Sequence, residues 1–264
     1  MNNGMSFRGC RGRGNGRRNG DGCGLGRSAS GAGQGASALR TGVTQRFDVI
    51  DEMPDRSAHR IQHVAQMRAN IARSPSSDLT AAEREGLLLM REEEKIARDV
   101  YIRLFERWGI RPFGNISGSE QAHMDAILAL LKHYGLPDPA QGLALGEFHN
   151  PELQRLYDRL VKQGLRSSED AIHVGLLIEE LDIADLQKAA TQTDKAAILG
   201  VYGELERGSR NHLRAFYRWK QMLGVNYVPQ HLSPEIFERT ALSVHEDCSA
   251  PGCKRLANPP LRVG

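Results

Sequence analysis

The chain has 264 residues, 40% of them apolar, 25% charged and only 6% aromatic, with a net charge of +3. That length suits one substantial globular domain with additional segments. No apolar run approaches the ~20 residues of a membrane span, the longest being as short as Ala126–Leu131, so a helical membrane protein is excluded and no membrane partner is expected.

Residues 1–46 hold thirteen Gly, eight Arg and one Asp, making this segment +7 and leaving −4 for the rest. So little apolar surface cannot offset the backbone entropy of folding, and the segment reads as a disordered Arg/Gly-rich tail. It has no apolar core of a secretory leader, so the expected location is cytoplasmic, with reduced thiols. Cys10, Cys23, Cys248 and Cys253 all fall in the flanks, so no disulfide framework is expected. Cys248 and Cys253, with His245 nearby, read either as a loose metal clip or as spare thiols.

Residues 47–78 read as a linker with a short helix over Ser57–Ile71, before the turn Ser74-Pro75-Ser76-Ser77. Thr80 and Glu83 then form a capping box that opens a long helix, closed at Trp108-Gly109. A second long helix is expected from near Ser117 to Tyr134-Gly135. Asn150-Pro151-Glu152 supplies an N-cap, a first-turn proline and a first-turn acid for a shorter helix ending at Gly164. A fourth helix opens at Ser167–Asp170 and fades near Ala190, and a fifth runs from about Thr193 to Leu223. A last short helix follows Ser233-Pro234, within a C-terminal extension over 225–264. No strand is expected. Two long helices, an interruption holding a short helix, then two more long helices make an all-α ferritin-like four-helix bundle over 79–224, with a long central crossover.

A bundle helix keeps its inward stripe apolar because a buried unpaired charge is expensive. Acids and histidines inside the stripes therefore mark chemistry. In the first long helix Glu94 sits among Leu87, Met90, Ala97, Tyr101 and Leu104, while Glu92 and Glu93 point progressively away. Glu120 and His123 share a face of the second with Ile116 and Ile127. Glu179 is enclosed by Ile172, Leu176, Ile183 and Leu186, with Asp182 beside it, whereas Glu180 falls in a solvated row with His173 and Gln187. His212 shares a face with Leu205, Ser209 and Phe216. Four carboxylates and two imidazoles suit iron, manganese or zinc rather than a thiol-seeking metal, and match a dimetal site in a bundle core.

Plainer readings stand beside this one. Glu120 has the spacing of a capping-box acid to Ser117, His212 that of a hydrogen-bonded core histidine, and Asp182 that of a solvent-facing acid or a cap. Tyr101 reads as a packed aromatic or as a phenol behind the ligands, and Arg98 as the partner of a nearby acid or as a surface ion pair.

The run from Glu94 through Lys95, Ile96, Ala97, Arg98, Asp99 and Val100 to Tyr101 resembles the first-helix signature of rubrerythrins. Glu120-Gln121-Ala122-His123 resembles their second-helix Glu-x-x-His. The stretch from Leu79 to about Ser233, carrying REEEKIARDVY, NISGSEQAHM, IEELDIADL and GSRNHLRAF, is similar to an uncharacterised bacterial and archaeal ferritin-like family of unknown function, related to rubrerythrins. The resemblance implies Glu-x-x-His in the last helix, where this chain has Ser209-Arg210-Asn211-His212; Asp182, three residues after Glu179, is placed to compensate. A rubredoxin module with paired Cys-x-x-Cys is absent from the sequence.

The expected function is thus a dimetal-carboxylate protein. Two iron ions, with manganese or a mixed pair as substitutes, are expected on Glu94, Glu120, His123, Glu179, Asp182 and His212. Oxygen or peroxide is the expected small substrate of a ferroxidase, peroxidase or oxidase, and the resemblance implies a homodimer or larger assembly. The alternative is a non-catalytic scaffold or binding module whose basic tail docks RNA or an acidic partner. With only Phe7 for base stacking in the tail, its nucleic-acid signal is weak. Gly-x-Ser-x-Gly and P-loop motifs are absent.

Overall fold

The structure, a computed structural model, describes residues 57–247. The Arg/Gly segment over 1–46 and all four cysteines lie outside the described residues, which hold seven helices and no strand: α1 Ser57–Arg73, α2 Ala81–Trp108, α3 Arg111–His133, α4 Pro151–Gly164, α5 Ser168–Ala190, α6 Ala196–Leu223 and α7 Pro234–Leu242. No helix among them is long and apolar enough to cross a membrane.

Side chains set most of the starts. Thr80 Oγ1 accepts from the Glu83 N–H at 3.2 Å, and the Glu83 carboxylate accepts from the Thr80 N–H at 2.8 Å, satisfying two donors a free helix end leaves orphaned. Asn150, Ser167 and Ser233 cap α4, α5 and α7 with the side-chain half of that pattern, each accepting from a first-turn N–H. At the end of α2, Gly109 takes φ +64°, a left-handed conformation that favours glycine. Only Ile110 then separates α2 from α3.

The start of α3 corrects the expectation. It begins at Arg111, not near Ser117, because Pro112 lies in the first turn, where its missing N–H costs nothing, and because Phe113 and Ile116 are buried. Ser117 is therefore inside the helix, its hydroxyl donating to the Gly114 carbonyl at 2.9 Å. The capping-box reading of Ser117 and Glu120 falls with it.

The four long helices close a ring in which α2 packs on α3, α3 on α6, α6 on α5 and α5 on α2. α1 lies on α3 and α6, α4 on α2 and α5, and α7 on α6. One apolar layer joins α1 to the ring through Val64, Met67, Leu87, Met90, Leu130 and Leu205. Towards the other end, Tyr101, Phe113 and Phe216 pack with ring centroids 5.0–5.7 Å apart, in the tilted arrangements that aromatic quadrupoles favour.

The segment between α3 and α4 is pinned to α2 by charges. Arg91 makes a two-pronged contact with Asp138, both N···O distances 2.9 Å. Lys95, 1% exposed, reaches Asp99 at 2.5 Å and the Ala144 carbonyl at 2.8 Å, and stands 4.5 Å over the Phe148 ring. Asp99 also accepts from the Gly146 N–H at 2.8 Å and from Arg98. Glu92, expected to turn outward, is buried beneath the same segment. Replacing Asp99 by Ala strands a buried ammonium, so stability should fall by about 3–5 kcal/mol. Guanidinium denaturation of Asp99→Ala beside wild type checks this, and a loss under about 1 kcal/mol would place the pair among surface ion pairs in its effect.

Candidate metal centre

Midway along the ring, each long helix turns one or two polar side chains inward. Glu94 comes from α2, Glu120 and His123 from α3, Glu179 from α5 and His212 from α6, every one of them buried. Their ligand atoms form two groups, Glu94–Glu120–His123 and Glu120–Glu179–His212, each gathered within 4.8 Å. Glu120 belongs to both. Its Oε2 lies 2.8 Å from His123 Nδ1, and its Oε1 lies 2.9 Å from His212 Nδ1. Glu94 Oε2 is 3.1 Å from His123 Nδ1, and Glu179 Oε2 is 3.3 Å from His212 Nδ1. The two imidazoles stack at 5.6 Å between centroids.

Hydrogen bonding accounts for only part of this convergence. Glu94 Oε1, Glu120 Oε1 and His212 Nδ1 are buried with no hydrogen-bond partner, although the last two are only 2.9 Å apart. Buried polar atoms are seldom left so. By contrast, Glu179 Oε1 is occupied, since the buried Tyr101 hydroxyl donates to it at 2.5 Å.

Without cations, protons must balance the charges. Burial pushes the Glu94 carboxyl up to about 8, the nearby His123 only partly offsetting it. Burial also raises Glu179. Burial alone would lower His212, but Glu120 and Glu179 outweigh it and lift it to about 10. The same contest lifts His123, through Glu94 and Glu120. Glu120 goes the other way: burial opposes its charge, and the two histidines overcome that and hold it low.

Of the six expected ligands, the structure brings these five together. Asp182 stands beside them, half-buried, its carboxylate accepting from the Ser209 hydroxyl. It belongs to neither group of converging atoms among the described residues. Arg98 pairs with Asp99 and donates to Gln121 at 2.6 Å, not to Glu94. Glu180 overturns its assignment to a solvated row. It is fully buried, accepting from the N–H groups of Gln230, His231 and Leu232 at 2.6–2.7 Å and from the Tyr227 hydroxyl. Gly208 went unnoticed in the stripe of α6. A Cβ there would lie 2.5 Å from His123 Nε2, so its bare backbone makes room for the imidazole. The available signal was weak, because Gly200 and Gly203 interrupt the same helix and a Cβ at either would meet nothing.

Comparison with known proteins places this arrangement. A family model described as an uncharacterized protein domain, DUF2202, matches residues 83–243. The chain belongs to that family. All five converging residues, Asp182 and Gly208 lie inside the DUF2202 region. The uncharacterized protein MJ0754 of Methanocaldococcus jannaschii is 47% identical over 176 residues, covering 67% of this chain and 95% of the relative. The crystal structure of the hypothetical protein MJ0754 superposes with a TM-score of 0.64 at 48% identity, covering 65% of this chain and 98% of that one.

Gly208→Ala tests the close approach. The added methyl must displace the His123 ring, at a cost of about 1–3 kcal/mol. The expected result is a lower midpoint in thermal unfolding and, by NMR, a shifted His123 ring. Unchanged His123 resonances would show that the ring does not depend on Gly208 for its place.

Proposed function

We propose that this domain is a ferritin-like four-helix bundle holding a carboxylate-bridged pair of divalent metal ions, iron or manganese, that reacts with oxygen or peroxide. The observation that carries the reading is Glu120, whose two oxygens face two different histidines. A carboxylate so placed serves two ions at once. Oxygen and imidazole donors suit these metals, and Glu94 Oε1, buried without a hydrogen-bond partner, fits a ligand atom. The link from α3 to α5, which spans the ring and holds α4, is the connectivity of such bundles.

The bound ions would supply the one-electron chemistry. The chain supplies the rest. Glu94 and His123 would hold one ion, Glu179 and His212 the other, and Glu120 both. Tyr101 fixes the far oxygen of Glu179, leaving its Oε2 towards His212. The Tyr101–Phe113–Phe216 cluster excludes water from one end of the centre.

Metal content by mass spectrometry, after anaerobic loading with Fe(II) and desalting, tests the reading. Wild type should retain about two ions per chain, and Glu120→Ala and His212→Ala markedly fewer. A folded wild type that retains none would overturn it.

Loading should also release protons. Near neutral pH Glu94 holds its proton up to about 8 and His212 up to about 10, and a ligand must shed its proton to bind. Affinity should therefore climb as pH rises from neutral towards about 10, where His212 ceases to compete. Fe(II) titration in weakly buffered solution with a pH electrode reads the release directly; binding with no proton released would place the ions elsewhere.

A further inference from the structure

The two converging groups draw on different helices. Glu94, Glu120 and His123 come from α2 and α3 alone, whereas Glu120, Glu179 and His212 span α3, α5 and α6. The first group therefore exists only while α2 and α3 keep one axial register. A slip of one residue moves a helix by about 1.5 Å along its axis, enough to break the 3.1 Å approach of Glu94 Oε2 to His123 Nδ1. Apolar packing is non-directional, so a directional bond between the two helices at this level is what can hold them to a single register.

Arg98 and Gln121 make such a bond. Arg98 stands one turn beyond Glu94 on α2, and Gln121 directly follows Glu120 on α3. Arg98 Nη1 donates to Gln121 Oε1 at 2.6 Å. Both ends are anchored. Arg98 Nε and Nη2 hold Asp99 Oδ1 at 2.8 and 2.7 Å. Asp99, fully buried, is itself fixed at Oδ2 by Lys95 at 2.5 Å and by the Gly146 N–H at 2.8 Å. A guanidinium fork gripped at two donors presents its remaining nitrogen in a set direction. On the other side Gln121 Nε2 donates to Asp125 Oδ1 at 3.0 Å, which turns the amide oxygen towards Arg98. On its far side α3 is placed against α6 by the close approach of His123 to Gly208. Loosening α2 on α3 would therefore displace Glu94 and spare the His212 half.

We propose that Arg98 and Gln121 are positioning residues: their bond sets the register of α2 on α3 and so shapes the Glu94–Glu120–His123 half of the centre, while the His212 half stands without it. This rests on the metal-pair reading above and adds to it two residues that are not themselves ligands.

The test titrates the full chain with Zn(II), a diamagnetic probe, and follows the His123 and His212 ring resonances by NMR. Wild type should take up about two ions per chain, with both rings responding. In Gln121→Met, which leaves every contact of Asp99 in place, His212 should respond as in wild type, while His123 should require about 10–100-fold more Zn(II), as when a metal site loses an outer orienting partner. Arg98→Met should do the same, and the double variant should be no worse than Arg98→Met, since the two side chains act through one bond. If Arg98→Met does not fold, judged by circular dichroism, Gln121→Met decides alone. Equal weakening at both histidines, or none at either, would overturn the positioning role while leaving the metal pair standing. A wild type in which neither ring responds to Zn(II) sinks the metal pair itself.

Discussion

Glu120 is the constraint from which the rest of the centre follows. A carboxylate 2% exposed would ordinarily give up its charge, because burial penalises the ionised form. Two histidines, one on its own helix and one on α6, keep it ionised. For both to reach it, α3 and α6 must run close at this level, and the missing side chain of Gly208 allows that approach. Glu94 and Glu179 then arrive from the other two helices and meet the same Nδ1 nitrogens of these histidines. The register of all four helices is thus tied to one side chain.

The outer contacts hold that register. Glu179 and Glu180 are consecutive, turned roughly 100° apart around the helix, and both are buried. Glu179 takes the Tyr101 hydroxyl on the inside. Glu180 takes three N–H groups and the Tyr227 hydroxyl from the segment after α6. The peptide between them is gripped from two directions, so the C-terminal segment helps to aim an inner carboxylate it never touches. On α2 the crossover does similar work through Arg91, Lys95 and Asp99. On α6, Glu246 bonds Arg210 and Arg214, tying the end of the described chain to the helix that carries His212.

What could be read from the sequence, and what could not, follows from this construction. Glu94, Glu120, His123, Glu179 and His212 stood out because each interrupts an apolar stripe at helical spacing, a signal local to one helix. The capped starts at Thr80, Asn150, Ser167 and Ser233 were equally local, and the helices open there. The failures all needed knowledge of a partner element. Glu180 and Glu92 lie on faces that would be solvated in a bare four-helix ring, and segments distant in sequence cover them. The first turn of α3 opens on Arg111 and Pro112 rather than near Ser117, and Phe113 and Ile116 are held there by burial against other elements. Gly208 is meaningful only once the His123 ring is set against it.

The two halves of the centre are chemically unequal, and that inequality bears on what it can do. Glu179 has one oxygen held by a phenol that burial keeps protonated, with Glu179 itself adding to the effect. Its carboxylate cannot rotate without breaking that bond inside a packed aromatic cluster. Glu94 is held at one oxygen only: its Oε2 meets His123 Nδ1 at 3.1 Å, while its Oε1 is buried and partnerless. Both oxygens of Glu179 are thus engaged and only one of Glu94, which makes the His212 side the more restrained half. A site in which one carboxylate can shift while the other stays fixed can change its donor set on one side alone.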